Sequence, residues 1–309
     1  MKLQFFSVPV LLAPFAIAAC TPNASASFGV ESLHPMGTAA SSEVASVTTE
    51  CGSKKPLTLV SYNVNYGLAR ADGSVDPATE QQIKELAKTA DLIAFQETTD
   101  DWERSIIALT KDSHPHRRFH APGRFIAGGI GVISRLPIAA EDVLPSPVDW
   151  FPAQRVEIST DDGPLQVLNV HLRPMISEGG SWVSGYFTTG HFRETEANAH
   201  LAKLRKDLPT VVLGDFNEED PGVALTIFES LGLRNAVSVD SPSDTTWRWT
   251  AYGVPLAMRL DHVLYPPSVF DLESATVHQG GNSDHLPVEV KLLRSCTPLG
   301  KPASQSSFF

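Results

Sequence analysis

The sequence predicts an α/β fold of four layers: two mixed β-sheets packed face to face, with flanking helices outside. Three observations point there. Short β-type runs recur from residue 55 to residue 296 and outnumber the helical stretches. Turn signals separate these runs, and neither a repeat nor a long low-complexity break divides the region. Two packed sheets covered by helices bury such a pattern within one domain.

The elements follow in order. β-type runs are read at Leu57–Tyr62, Asp91–Phe95, Ile130–Ser134, Gln154–Ile158, Leu165–Val170, Thr210–Leu213, Leu260–Tyr265 and Leu286–Leu293. In the last, Leu286, Val288, Val290 and Leu292 alternate with Pro287, Glu289 and Lys291, as a half-buried strand requires. A helix is expected over Pro77–Lys88, with Asp76 as N-cap and Pro77 at its first position. A second lies around Trp102–Leu109. A third, charged helix spans His191–Lys206, with Leu201 and Leu204 on one face.

The flanks read differently. Residues 1–19 hold Lys2 and an apolar run from Phe5 to Ala16, too short to span a bilayer comfortably. The run ends in Ile17-Ala18-Ala19-Cys20, which resembles a bacterial lipobox. The expectation is a lipoprotein signal peptide, cleavage before Cys20 and lipidation of its sulfur. The chain would then be exported and anchored by lipid to the bacterial cell envelope. Residues 20–54, rich in Ser, Ala, Thr and Gly, read as a flexible tether, and residues 297–309 as a polar tail. That leaves Cys51 and Cys296 of the three cysteines, one before the first strand and one after the last. An exported compartment permits their pairing as a disulfide, worth about 5 kcal/mol at most for so long a loop.

Charge narrows the function classes. Lys and Arg number 24 against 35 Asp and Glu, so the formal net charge is −11. A strongly basic nucleic-acid binder is excluded as a whole-chain description, while a local phosphate-binding patch is not.

The informative feature is what terminates the strands. The runs end at or begin from Asn63, Glu97, His171, Asp215-Phe216-Asn217, Asp261 and Asp284-His285. One polar strand end is a turn; six in succession point to groups converging on one rim. Glu97, Asp215, Asn217, Asn63 and Asp284 offer hard oxygen donors. These suit Mg²⁺, with Mn²⁺ or Ca²⁺ as alternatives. His171 and His285 supply proton transfer near neutral pH. Together they fit phosphoester hydrolysis by activated water.

These residues also carry a family resemblance. SYNV (61–64), IAFQET (94–99), GGIGVISRLPI (128–138), NVHLRP (169–174), GDFN (214–217), RLDHVL (259–264) and SDHLPV (283–288) stand in one order. They resemble the endonuclease/exonuclease/phosphatase superfamily, whose fold is the DNase-I-like sandwich. The resemblance covers about residues 56–294. It implies that Glu97 and Asn63 hold a divalent metal and that Asp284 lies beside it. Asp215 and Asn217 position the attacking water and the scissile phosphate. His285 is the general base, oriented by Asp261. His171 touches a phosphate oxygen or protonates the leaving group. The His at 171 is similar to the DNase, sphingomyelinase and phosphoinositide-phosphatase branches, while Arg173 departs from the residue often found there in DNases.

Arg135, Arg155 and Arg173 are candidate substrate ligands, since they lie at strand ends near these motifs. KDSHPHRRFH (111–120) reads as a solvated loop. Residues 176–192, with Trp182, Tyr186, Phe187 and Phe192, read equally as a lip over the cleft or as local packing. Gly128, Gly129 and Gly131 read as close backbone approaches. The expected function is a divalent-metal-dependent phosphoesterase, foremost a phosphodiesterase on nucleic acid or phospholipid. A phosphomonoesterase acting on small molecules and a non-catalytic binding lipoprotein are the alternatives. No protein partner is expected, and the chain should be monomeric.

Overall fold

The computed structural model describes residues 55–295 apart from 177–178, 181 and 252. The chain divides into two units, Met1–Val47 and Thr48–Phe309, and every described residue belongs to the second. Cys20, Cys51 and Cys296, with the expected signal peptide, tether and polar tail, lie outside the described residues.

In chain order the elements are β1 (Leu57–Asn63), α1 (Pro77–Leu86), β2 (Leu92–Gln96), α2 (Asp100–Thr110), β3 (His116–His120), β4 (Ile130–Ser134), β5 (Ile138–Leu144), β6 (Ala153–Thr160) and β7 (Gly163–His171). There follow α3 (Trp182–Thr188), α4 (Gly190–Leu201), β8 (Thr210–Asp215), α5 (Val223–Glu229), β9 (Arg234–Asn235), α6 (Ala236–Asp240), β10 (Trp247–Ala251), β11 (Val254–Met258), β12 (Asp261–Tyr265), β13 (Phe270–Val277) and β14 (Val288–Arg294). One six-stranded sheet has the order β13-β14-β1-β2-β4-β3, the other β5-β6-β7-β8-β12-β9, and β10 and β11 form a separate hairpin.

The two-residue period of the strands builds three cores. Leu59, Leu92, Ala94, Val132, Val156, Val167, Val211, Leu213, Val263 and Val290 meet between the sheets. Their neighbours Val60, Tyr62, Ile93, Phe95 and Ile133 face outward and pack on Ile83 and Leu86 of α1 and Trp102 and Ile106 of α2. On the far side Leu168, Val170, Val212 and Leu264 pack on Ala197 of α4 and Ala224, Leu225 and Phe228 of α5. The four-layer sandwich is therefore present, and its central strands are apolar on both faces because both faces are covered.

Helix α1 starts as its sequence dictates, with the Asp76 carboxylate accepting from Thr79 N at 2.8 Å and Pro77 at its first turn. Such a cap is worth about 1 kcal/mol. Two expectations are corrected. Residues 116–120 form edge strand β3 instead of a solvated loop, because its Arg118 and His120 are drawn onto Glu141 of β5, with His120 Nε2 2.7 Å from Glu141 Oε1. The helix expected to end at Lys206 ends at Leu201. Its charged residues Arg193, Glu196 and His200 are buried, with Glu196 and Arg193 bonded to the loops that follow β7 and β8.

Register decides which strand ends share a rim. β1 and β2 run parallel with Asn63 opposite Gln96, and β7 and β8 run parallel with His171 opposite Asp215. β12 is antiparallel, so its first residue, Asp261, lies opposite Asp215. β14 is antiparallel to β1, which brings the preceding His285 to the same end.

Candidate active site

The six polar strand ends converge. Asn63 is wholly buried, and its Nδ2 donates to Glu97 Oε1 at 3.2 Å and to Asp215 Oδ2 at 3.1 Å, tying the two sheets together. Its Oδ1 accepts from Asn65 N at 3.1 Å. Asn63 thus bridges the two carboxylates through its amide nitrogen, and its oxygen keeps a lone pair for the ligand role expected of it. Tyr66 N donates to Glu97 Oε2 at 3.2 Å. Asp284 accepts from Asn65 Nδ2 at 2.7 Å and from Trp247 Nε1 at 3.1 Å.

His285 Nδ1 donates to Asp261 Oδ2 at 2.8 Å, and its Nε2 faces Asp215 Oδ2 at 3.6 Å. Asp261 is set by Thr246, whose Oγ1 accepts from Asp261 N at 2.9 Å and from Leu260 N at 3.0 Å. The His171 ring stacks on Phe151 with centroids 4.0 Å apart, and its Nε2 lies 3.6 Å from Asp215 Oδ2 and 4.0 Å from Glu97 Oε1. Asn217 N donates to Asp215 Oδ1 at 2.9 Å, and Asn217 Nδ2 to Leu172 O at 2.9 Å.

Backbone strain collects here. Glu97 and Asn217 sit at φ 58° and 51°, in the left-handed region, and Asn65 at φ 58°. Asn tolerates this region; Glu does not without loss, about 1 kcal/mol or more. Gly214 of GDFN is required for a different reason. Its φ is +142°, and a Cβ there would lie 2.0 Å from Val170 O. Gly129 likewise faces Thr98 O, where a Cβ would approach to 1.8 Å, in keeping with the close approach expected for that glycine cluster.

The electrostatics are those of an unbalanced cluster. Glu97, Asp215, Asp261 and Asp284 crowd one cleft, and among the described residues none pairs with a Lys or Arg. Burial pushes the Glu97 carboxyl up, against the pull of His285. Burial also pushes Asp215 up; His285 opposes this, and Asp261 and Glu97 add to it. Burial alone would lower His285, but Asp261, Asp215 and Asp284 outweigh it and push its pKa up to about 10. His171 goes the other way, pushed down to about 3 by burial and by the charge of His285, so its imidazole is neutral. One Asp261 oxygen, Oδ1, is buried without a hydrogen-bond partner, and Asp215, Asp261 and His285 have donor atoms all within 4.8 Å of one another. Hard carboxylates in excess, an orphaned carboxylate oxygen and no balancing Lys or Arg fit a divalent cation.

Of the three arginines, two are committed elsewhere. Arg135 donates to the carbonyls of Ala90 at 2.7 Å, Ala87 at 2.5 Å and Lys88 at 2.8 Å, at the end of the sheet opposite the rim. Arg155 binds Asp142, Glu157 and Gln166 within the second sheet. Neither is placed to touch substrate, which corrects that expectation: both guanidiniums are engaged by groups away from the rim. Arg173 is near the rim, its Cζ 4.4 Å from the Trp150 ring centroid and 4.2 Å from that of Phe192. Phe187, in the segment read as lip or packing, is 80% exposed.

Several positioning residues escaped sequence reasoning. Gln96 Nε2 donates across the sheet interface to Asn169 Oδ1 at 2.7 Å, and Asn169 Nδ2 donates to Phe95 O at 3.1 Å. Gln96 lies inside IAFQET and Asn169 inside NVHLRP, so an amide in an otherwise buried strand was the available signal. Asn65 lies in loop sequence where nothing marks it, and Thr246 and Trp247 lie in the TWRWT run (246–250), which by itself assigns them no role in the site.

Comparison with known proteins follows from this geometry. No curated protein matches the sequence. Among solved structures the chain is similar to D. rerio TDP2 complexed with single strand DNA product, at 12% identity and TM-score 0.60, covering 78% of this chain and 100% of that one. It is similar to the human Nocturnin catalytic domain with bound sulfate anion, at 17% identity and TM-score 0.58, covering 78% and 94%. A Bacteroides thetaiotaomicron mannosyl-6-phosphatase matches at 20% identity and TM-score 0.55, covering 77% and 99%. Identities this low speak to the shared DNase-I-like fold. The sequence itself matches the model of the Endonuclease/Exonuclease/phosphatase family over residues 60–285, a span that opens in β1 and closes on His285. With the fold and the motif order in agreement, the chain belongs to the endonuclease/exonuclease/phosphatase family.

Proposed function

We propose that the chain is a divalent-cation-dependent phosphoesterase, foremost a phosphodiesterase. The observation that carries this reading is the His285–Asp261 pair at 2.8 Å, with His285 Nε2 opening onto a carboxylate cluster that has no Lys or Arg partner among the described residues. Glu97 and Asp284 would hold the cation, with Asn63 fixing the Glu97 carboxylate. When bound, the cation offsets the cluster's charge and polarises a phosphoryl oxygen.

The chain's own groups do the rest. With the carboxylate charge offset, His285 loses the proton that the cluster holds on it, and its Nε2 then accepts one from the attacking water, while Nδ1–H stays on Asp261. That hydrogen bond fixes the tautomer and stabilises the imidazolium as it forms. Asp215, 3.6 Å from both imidazoles, orients the water between them. Asn217 keeps Asp215 in place through its backbone N–H. His171, neutral and held flat by Phe151, donates a hydrogen bond to a phosphate oxygen. A neutral imidazole is too weak an acid to protonate the leaving group, so that proton comes from another source.

The test is a hydrolysis panel with Mg²⁺ and Mn²⁺ on bis-p-nitrophenyl phosphate, p-nitrophenyl phosphate, plasmid DNA and sphingomyelin. Diester turnover above monoester turnover is the expected result. Turnover of the monoester alone makes the enzyme a phosphomonoesterase, and inactivity on all four with either metal sinks the reading. The reading extends to an exported enzyme held at the cell envelope by lipid on Cys20, acting as a monomer. Recovery of the full chain in the soluble fraction of its cells would reject that anchor.

A further inference from the structure

Arg173 stands apart from the other arginines near the rim. Its side chain is only 8% exposed, yet Nε has no hydrogen-bond partner. Among the described residues no carboxylate lies within ion-pair distance of it, whereas the neighbouring Arg193 binds Glu218 at 3.2 Å. A buried guanidinium without an anion is costly unless it awaits one.

Its surroundings are built to hold it flat. Trp150 and Phe192 lie at 4.4 and 4.2 Å from its Cζ, and Trp150 packs on Phe151, the ring that stacks on His171. The backbone is pinned by α4: Arg173 N donates to Glu196 Oε2 at 2.8 Å, and Arg193 NH1 donates to Arg173 O at 3.2 Å. Glu196 attracts Arg173 but makes no ion pair with its guanidinium: its oxygens accept from Ser146 and the Arg173 backbone, and burial pushes its pKa up to about 7.

The direction follows from the strand. Leu168, Val170 and Leu172 face the outer core, so Asn169, His171 and Arg173 share the opposite face. Leu172 N donates to Asp215 O at 2.9 Å, which keeps the chain paired beyond the end of β7. Arg173 is thus the next residue past His171 on the cleft side, about 7 Å along an extended chain.

We propose that Arg173 is an anion subsite of this centre, its guanidinium taking an anionic phosphate oxygen of the substrate beside His171. Trp150 and Phe192 hold the planar fork for that contact. This rests on the phosphoesterase reading for its substrate, but not for its binding test. The oxygen belongs either to the scissile phosphate or to a neighbouring one, and the experiment separates the two.

Pyrophosphate is titrated calorimetrically into the metal-free full chain, wild type, Arg173→Gln and Arg173→Lys, with thermal melting to confirm folding. Arg173→Gln should weaken binding by about tenfold or more, the loss of a charge-assisted hydrogen bond, and Arg173→Lys by less. Steady-state kinetics should show KM raised with kcat little changed. If KM rises on bis-p-nitrophenyl phosphate, the oxygen is the scissile group's. If it rises only on an oligonucleotide, the oxygen is a neighbour's. If Arg173→Gln does not fold, Arg173→Lys, which keeps the charge but loses the planar fork, is judged by the same readings. Wild-type protein that binds no pyrophosphate overturns the subsite, as do variants with unchanged affinity and KM. Binding through Arg173 without hydrolysis of any panel substrate would instead reject the phosphoesterase reading and leave the subsite standing.

Discussion

The two ends of the first sheet receive the same kinds of side chain and use them in opposite ways. At one end Asp91 accepts from Thr58 N at 3.0 Å and from Lys55 Nζ at 3.2 Å, and Arg135 and His114 Nε2 both donate to Ala90 O. Each of these groups finds a hydrogen-bond partner there. At the other end four carboxylates share a cleft, none paired with a Lys or Arg among the described residues, and Glu97 and Asn217 hold left-handed backbone conformations. One end is satisfied locally; the other is left short of positive charge. That shortage is the physical mark of a site built around something added later.

The largest expected effect breaks the chemistry and spares the fold. His285→Ala should lower turnover by about 10² to 10⁴, the range for losing a general base. Asp261→Asn should lower it less, since the imidazole remains and only its orientation and charge stabilisation are lost. Thermal melting should change little in either variant. Near-normal turnover in purified His285→Ala would remove the base assignment.

Glu97→Gln sharpens the same contrast. It weakens the hold on the cation, so activity should recover in part as Mg²⁺ or Mn²⁺ is raised. It also removes one of four crowded charges, so the metal-free variant should melt no lower than wild type. Metal titration of activity checks the first point and calorimetric melting the second. An unchanged metal dependence would mean that Glu97 is not a principal ligand.

Arg135→Ala is the mirror experiment at the satisfied end. Three carbonyls lose their donor, which should lower stability by about 1–3 kcal/mol. KM and kcat should not move. Urea unfolding with parallel kinetics tests both, and a raised KM would restore Arg135 as a substrate ligand.

That error shows what the sequence withholds. Asn63, Glu97, His171 and Asp215 were legible because each ends a run that proved parallel to its neighbour. Arg135 also ends a run, but β4 is antiparallel to β2, with Leu92 opposite Ser134, so its last residue falls at the far end. Strand direction is a property of pairing, and pairing is not local in sequence. Asp261 and His285, at strand beginnings, were legible because a motif order carried them. β3 was missed for a related reason: HRRFH has no apolar alternation, and it becomes a strand through Glu141, which arrives from the other sheet. Trp150 and Phe192 were not tied to Arg173 because a sandwich of three distant residues leaves no spacing to read.

The smallest effect is a pH dependence at the satisfied end. A carbonyl only accepts, so His114 carries its proton on Nε2 toward Ala90 O at 3.1 Å, and Nδ1 accepts from Ser113 Oγ at 2.9 Å. Burial, with Arg135 beside it, pushes its pKa down to about 4. The unfolded chain should titrate near the ordinary value of about 6.5. Above that pH both states are neutral and the full stability is present. As pH falls from about 6.5 towards 4, only the unfolded chain takes up this proton, so stability drops, by at most about 1.4 kcal/mol per pH unit. His114→Gln keeps a donor for Ala90 O and deletes the titration. Its stability at pH 7 should be somewhat lower, but the fall between pH 7 and pH 5 should be shallower than in wild type. It should not vanish, because the buried His200 and His262 are also pushed down to about 4. Urea midpoints at pH 7, 6 and 5 for the two proteins decide the matter. Parallel curves would show that His114 is as protonatable in the fold as outside it. The satisfied end would then owe its balance to Arg135 and Asp91 alone.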